Sequence, residues 1–269
     1  MERGILDRPA CRLYYEADGT GPVLVFAHGL GGNHLSWWQQ VPHFRERYTC
    51  VTFARRGFAP SNAPAGGPDP ADYAGDLAAL VDHLGARDVR IVAQSMGGWT
   101  ALEYAFAHPT RVRALVLAST AGTIARAPAL FADPDQLPAW ERKAAAAARA
   151  LQAANIHVAA GERMAREQPA AHFLYQELDA LSSVNKIKLR QKLQDALVRP
   201  ADALRTLTIP TLWLTGEEDI VYPPFLSDIL AKLMPSARAA QVKQAGHSVY
   251  FERPAEFNRR VDDFLGMNP

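Results

Sequence analysis

The chain has 269 residues, of which 48% are hydrophobic and 21% charged, and a formal net charge of +1. That composition belongs to an ordinary globular protein, long enough for one large α/β domain with room for an inserted subdomain. So small a net charge gives no electrostatic case for nucleic acid or an anionic membrane as partner, and no run of about eighteen apolar residues marks a transmembrane helix.

The first residues, Met1 to Pro9, carry no long apolar segment, so no signal peptide is expected and the cytoplasm is the default location. Cys11–Glu16 and Val23–Ala27 read as strands joined through the turn-rich Asp18–Pro22. Cys11 and Cys50 both fall in strand-like contexts and are expected as buried thiols rather than a disulfide. After His28-Gly29-Leu30-Gly31-Gly32, a segment with Trp37, Trp38, Val41 and Phe44 has roughly helical spacing. Thr49–Ala54 reads as a strand, 62–70 as a Pro/Gly-rich loop, and Ala71–Leu84 as a helix with Tyr73, Leu77, Leu80, Val81 and Leu84 on one face.

The next strand starts at Val89 and stops at Gln94-Ser95-Met96, with Gly97 and Gly98 behind it. From there Trp99, Leu102 and Phe106 recur at steps of three and four, so the chain turns from strand to helix with a serine at the corner. Most Ser-x-Gly matches are surface or capping serines. The strand before this one and the helix after it give the geometry of a nucleophile elbow, which lifts the serine hydroxyl clear of the sheet. Ala93 stands where the usual motif has glycine.

Ala114–Ala118 is fully apolar, as a parallel strand buried on both faces must be. Alternation of strand and helix then stops, and residues 122–203 are Ala-rich and helical in pattern. It resumes with a strand at Thr211–Thr215, a helix at Pro223–Met234, a strand at Arg238–Val242 and a helix near Pro254–Leu265. The expected fold is α/β, a mostly parallel sheet with helices on both faces. The core is expected at 1–121 and 204–269, with 122–203 a helical lid over the sheet's edge. Sites in such sheets form at the carboxyl ends of the strands.

Three strand ends carry suitable groups: Ser95, the acidic run Glu217-Glu218-Asp219, and His247 after Gly246. Their order, serine then acid then histidine, is the one this kind of elbow uses. A serine hydroxyl is a poor nucleophile at neutral pH, so an imidazole must take its proton and a carboxylate must orient that imidazole. His247 is the one histidine that follows a late strand and a glycine. His43, His83 and His108 fall on helices or their ends, His157 and His172 in the insertion, and His28 is expected to shape its own loop. The oxyanion formed on attack needs two fixed donors, expected as the backbone N–H groups of Leu30 and Met96. No His-Glu-x-x-His or paired Cys-x-x-Cys occurs, and the glycines at 29, 31 and 32 lack both phosphate-loop spacings, so neither a metal nor a nucleotide cofactor is expected.

Taken together, His28-Gly29-Leu30-Gly31-Gly32, Arg56-Gly57-Phe58-Ala59-Pro60-Ser61, Ser95-Met96-Gly97-Gly98, Gly216-Glu217-Glu218-Asp219 and Gly246-His247 resemble the α/β-hydrolase superfamily over nearly the whole chain outside the insertion. The resemblance picks Asp219 as the acid, through the pattern Gly-x-x-Asp. It departs at Ala54 and Ala59, where relatives often carry Asp and Gly. It implies hydrolysis of an ester or lactone, with motifs closest to the enol-lactonase and small-ester group at 216–224 and 108–112. The alternatives are a carbon–carbon hydrolase of ring-cleavage products, similar at Phe251–Asn258, and a silent ligand-binding member of the fold. A small-molecule substrate is the expected partner, and the oligomeric state is left open. Lid aromatics, Trp140, Phe173 and Tyr175 together with Val221 of the acid loop, are expected to form an apolar slot for an apolar acyl or ring group.

Overall fold

The computed structural model describes residues 1–268. Its strands are β1 (Glu2–Arg8), β2 (Cys11–Asp18), β3 (Val23–Ala27), β4 (Thr49–Phe53), β5 (Val89–Gln94), β6 (Val112–Ala118), β7 (Thr211–Gly216) and β8 (Ala237–Val242), in one sheet of order β1-β2-β4-β3-β5-β6-β7-β8. β1 and β2 pair antiparallel with each other, and β2 antiparallel with β4; every pairing from β4 to β8 is parallel. The helices are α1 (Val41–Phe44), α2 (Tyr73–His83), α3 (Gly97–Ala107), α4 (Gln136–Ala153), α5 (Gly161–Glu167), α6 (Pro169–Ala180), α7 (Lys186–Asp195), α8 (Pro224–Ala231), α9 (Val249–Glu252) and α10 (Pro254–Gly266). Among the described residues no helix is long and apolar enough to cross a membrane.

The central strands are buried on both faces because their apolar residues are consecutive rather than alternating. Every residue of β5 and of β7 is buried. Successive side chains then feed opposite cores. Ile91, Leu115 and Trp213 face α2, α3 and α8 through Leu80, Leu102 and Leu226. Val92, Val116 and Leu214 face α10 through Phe257, Val261 and Phe264. Cys11 and Cys50 are free and buried, and burial pushes the Cys50 thiol up to about 12.

β1 is the strand the sequence reading lacks. Its residues are exposed or half-buried, and it pairs only with β2, Ile5 opposite Tyr14, at the edge of the sheet. A strand held by one neighbour and little burial leaves almost no apolar alternation to read.

Between β6 and β7 the chain forms α4 to α7. The two ends of this insertion are joined: Ala125 N–H donates to the Arg199 carbonyl at 2.8 Å, and Arg199 N–H to the Thr123 carbonyl at 3.1 Å. Leu189 and Leu193 of α7 pack with Phe58, Tyr73 and Met96, which seats the insertion directly on the β5–α3 corner.

Candidate active site

The β5–α3 corner is tight and strained. Ser95 has φ +51°, in the left-handed region, which costs a residue with a Cβ on the order of 1–2 kcal/mol. The surroundings leave it no alternative. Ser95 N–H donates to the Ala118 carbonyl at 2.9 Å, and Gly98 N–H to the Ser95 carbonyl at 2.8 Å. A Cβ on Gly97 would collide with the Ala27 carbonyl oxygen, and one on Gly98 with the Thr120 side chain. Helix α3 can therefore approach β3 and β6 only with glycine at both positions. The residue before the serine is also tied down, since Gln94 Nε2 donates to the His247 carbonyl at 3.2 Å.

The loops after β7 and β8 are zipped together: Glu217 N–H donates to the Val242 carbonyl and Glu218 N–H to the Ala245 carbonyl, both at 2.9 Å. This brings Asp219 against His247, whose Nδ1 lies 3.1 Å from Oδ1 and 2.9 Å from Oδ2. A carboxylate only accepts, so Nδ1 carries the proton and Nε2 is left with its lone pair. Asp219 Oδ1 also accepts from the N–H groups of Val221 at 2.8 Å and Tyr222 at 2.9 Å, which fixes the carboxylate independently of the histidine. Both side chains are buried. The two competing acids are used otherwise: Glu217 is exposed, and Glu218 accepts two hydrogen bonds from Arg163 of α5, at 2.9 and 2.6 Å.

A buried carboxyl absent from the sequence reading holds the histidine loop. Glu252 of α9 accepts the Gly246 N–H at 2.8 Å and the Ser248 N–H at 3.0 Å, one on each side of His247. Burial pushes this carboxyl up to about 8; the two N–H donors oppose the shift and the Asp219 charge adds to it. The five-residue spacing from His247 to Glu252 across one short helical turn is the only sequence signal for it, and it has no meaning until the loop is folded.

Leu30 and Met96 line the same cavity as Ser95 and His247, and among the described residues no protein acceptor takes either backbone N–H. His28 shapes the Leu30 loop. Its Nε2 accepts the Arg55 N–H at 3.1 Å, which leaves the ring proton on Nδ1 to donate to the Gly29 carbonyl at 2.7 Å. Burial, with the Arg55 charge beside it, holds this imidazole well below the ordinary histidine range. His28 is a neutral strut. Arg55 completes the arrangement by donating to the His28 carbonyl and, at 3.0 Å, to Thr100 Oγ1 of α3.

The cavity beside Ser95 measures about 170 Å³. Val221 is on its wall, and Trp140, Phe173 and Tyr175 are not. Tyr175 is spent on packing: its ring meets Phe251 edge-on at 5.2 Å, and its hydroxyl accepts from Ser248 Oγ at 2.9 Å. Phe173 lies on the outer face of α6, 63% exposed, and Trp140 is half-buried on α4, a helix with only Ala144 buried. In their place stand Trp99 of α3, Leu193 and Arg190 of α7, Arg126, and Tyr222. The wall of this cavity is therefore mixed apolar and cationic, beside the expectation of an apolar slot with few polar contacts. A second cavity of about 330 Å³ reaches His247 from the side of α4 and α5, with Glu252 on its wall.

With this geometry in hand, comparison with known proteins is decisive for the family. The profile of the α/β hydrolase fold matches residues 22–254. The chain belongs to the α/β-hydrolase family. This α/β hydrolase is 31% identical over 275 residues to "Putative non-heme bromoperoxidase BpoC" of Mycobacterium tuberculosis, covering 94% of this chain and 97% of that one. It is 29% identical to 3-oxoadipate enol-lactonase 2 of Acinetobacter baylyi, covering 90% and 87%. Among solved structures, a thermophilic esterase from Thermogutta terrifontis superposes with a TM-score of 0.79 at 22% identity, over 99% of both chains, a likeness of fold. The protein is a hydrolase.

Proposed function

We propose that this hydrolase cleaves a carboxylic ester or lactone through an acyl-enzyme, with Ser95 as nucleophile, His247 as base and Asp219 as its orienting acid. The observation that carries the reading is the buried Asp219–His247 pair, whose imidazole, with its unprotonated Nε2, lines the same cavity as Ser95. The relative named as an enol-lactonase supports the choice of reaction.

In this reading Ser95 Oγ attacks the substrate carbonyl as its proton passes to His247 Nε2, and the imidazolium is stabilised by Asp219. The oxyanion is met by the N–H groups of Leu30 and Met96. Collapse of the intermediate expels the alcohol, which takes the proton from His247 and leaves the acyl group on Ser95. Water then enters, gives a proton to His247 and attacks the acyl carbonyl. Release of the acid returns that proton to Ser95. For a lactone the alcohol stays attached to the acyl chain. Helices α4 to α7 act as a lid over the cavity.

Turnover of a chromogenic short-chain ester by the wild type, lost in Ser95→Ala, is the expected result. Undiminished turnover by Ser95→Ala would overturn the assignment.

A further inference from the structure

The cavity beside Ser95 has a charge the reaction does not need. Arg126, from the loop leaving β6, and Arg190, from α7, both stand on its wall, and no carboxylate side chain does. Many of the other arginines are matched: Arg56, Arg111, Arg163, Arg199 and Arg259 each hold an acidic partner. Among the described residues Arg126 and Arg190 hold none. Arg126 is half-buried, and its Nε is fully buried without a hydrogen-bond partner. Leaving a charged donor in that state costs more than leaving a neutral one, and an anion bound beside it would remove the cost.

A second orphan lies in the same wall. Ser119 Oγ is buried without a partner, and Ser119 itself sits at φ +50° at the end of β6. A hydroxyl donor in that position adds to the two guanidinium groups around one small space. At about 170 Å³ the space is smaller than the roughly 300–1,000 Å³ of pockets that take drug-sized ligands, which suits a short acyl chain.

We infer that the substrate is the ester or lactone of a short acid that carries a second, free carboxylate, and that Arg126 and Arg190 select it by binding that carboxylate. This rests on the ester- or lactone-hydrolase reading of the same site. The guanidinium fork matches a carboxylate through paired N–H donors. The lid contributes specificity by bringing Arg190 on α7, rather than by its aromatic side chains.

The test compares monomethyl glutarate with dimethyl glutarate, which differ only in the free carboxylate. The wild type should favour the monoester in kcat/KM by about 10- to 100-fold, the range of a charge-assisted hydrogen bond or two. Arg126→Gln and Arg190→Gln should each cut that preference, raising KM for the monoester more than for the diester. Arg126→Lys should restore part of the preference. Calorimetric titration with glutarate gives a readout free of catalysis: binding by the wild type, weakened in both glutamine variants. Because Arg190 is exposed, its substitution keeps the test open if Arg126→Gln folds poorly. Diester hydrolysis without monoester preference, and with no glutarate binding, overturns the inference and leaves the hydrolase reading standing. Arginine-dependent glutarate binding without hydrolysis of either ester upholds the anion site and removes the ester reading.

Discussion

Asp219 meets the Nδ1 of His247 with both carboxylate oxygens, at 3.1 and 2.9 Å, while its Oδ1 also takes the N–H groups of Val221 and Tyr222. The carboxylate is therefore anchored by its own loop and presented to the imidazole as a fixed acceptor. Asp219→Asn keeps an oxygen for the two backbone donors, so the loop should stay folded. Its amide nitrogen would face Nδ1 as a donor and force the proton onto Nε2, the wrong tautomer for a base. The expected loss in kcat is about 10³- to 10⁴-fold at neutral pH with little change in melting temperature. Steady-state kinetics beside a thermal melt checks both halves.

Glu252 makes the stability of the histidine loop depend on pH. Its folded carboxyl is raised to about 8, above the ordinary glutamate value of about 4.3. Between those values the folded state holds a proton that the unfolded state has lost. Its contribution is therefore present below the unfolded value and fades as pH rises through 8, by up to about 1.4 kcal/mol per pH unit. The neighbouring Asp219 charge raises it and the Arg253 charge lowers it. Glu252→Gln should flatten the slope. Urea unfolding of both proteins from pH 5 to 8 measures it, and parallel slopes would count against this account.

The fold was legible where burial dictates composition. The run at β5, the glycines behind Ser95 and the apolar β6 could hardly be anything but interior strands and a tight corner. The edge strand β1 was illegible because one antiparallel partner and open solvent impose no pattern on Glu2–Arg8. In the candidate site, the sequence points to Ser95, Asp219 and His247 because each follows the end of a strand. The cavity wall could not. Helical spacing shows which residues share a face, not which neighbour covers it, so Tyr175 and Phe173 read as substrate contacts, whereas the structure puts Tyr175 in packing and Phe173 at the surface. Arg126 and Arg190 carry no spacing that separates them from solvated charges.

Gly97 tests how tightly the corner is built. Its missing Cβ makes room for the Ala27 carbonyl, a backbone group that cannot swing aside. Gly97→Ala should destabilise the protein by about 1–3 kcal/mol through overpacking and disturb Ser95 with it. Chemical denaturation gives the first effect, and the rate on a chromogenic ester the second.

Arg163 links the insertion to the acid loop, holding Glu218 while it also meets Glu167, which in turn holds Arg253 beside the histidine loop. These groups are partly solvated, so Arg163→Ala should barely move the melting temperature. It should loosen α5 and so hasten proteolysis of the insertion, an effect that high salt on the wild type should mimic.

The central claim is that Ser95 is the nucleophile, and covalent labelling tests it without any knowledge of the substrate. The wild type is treated with a fluorophosphonate, and the modified residue is located by peptide mass spectrometry. The account predicts one adduct, on Ser95, with labelling greatly slowed in Asp219→Asn because the imidazole no longer takes the proton. An adduct on another serine, or no adduct on folded protein, would contradict it.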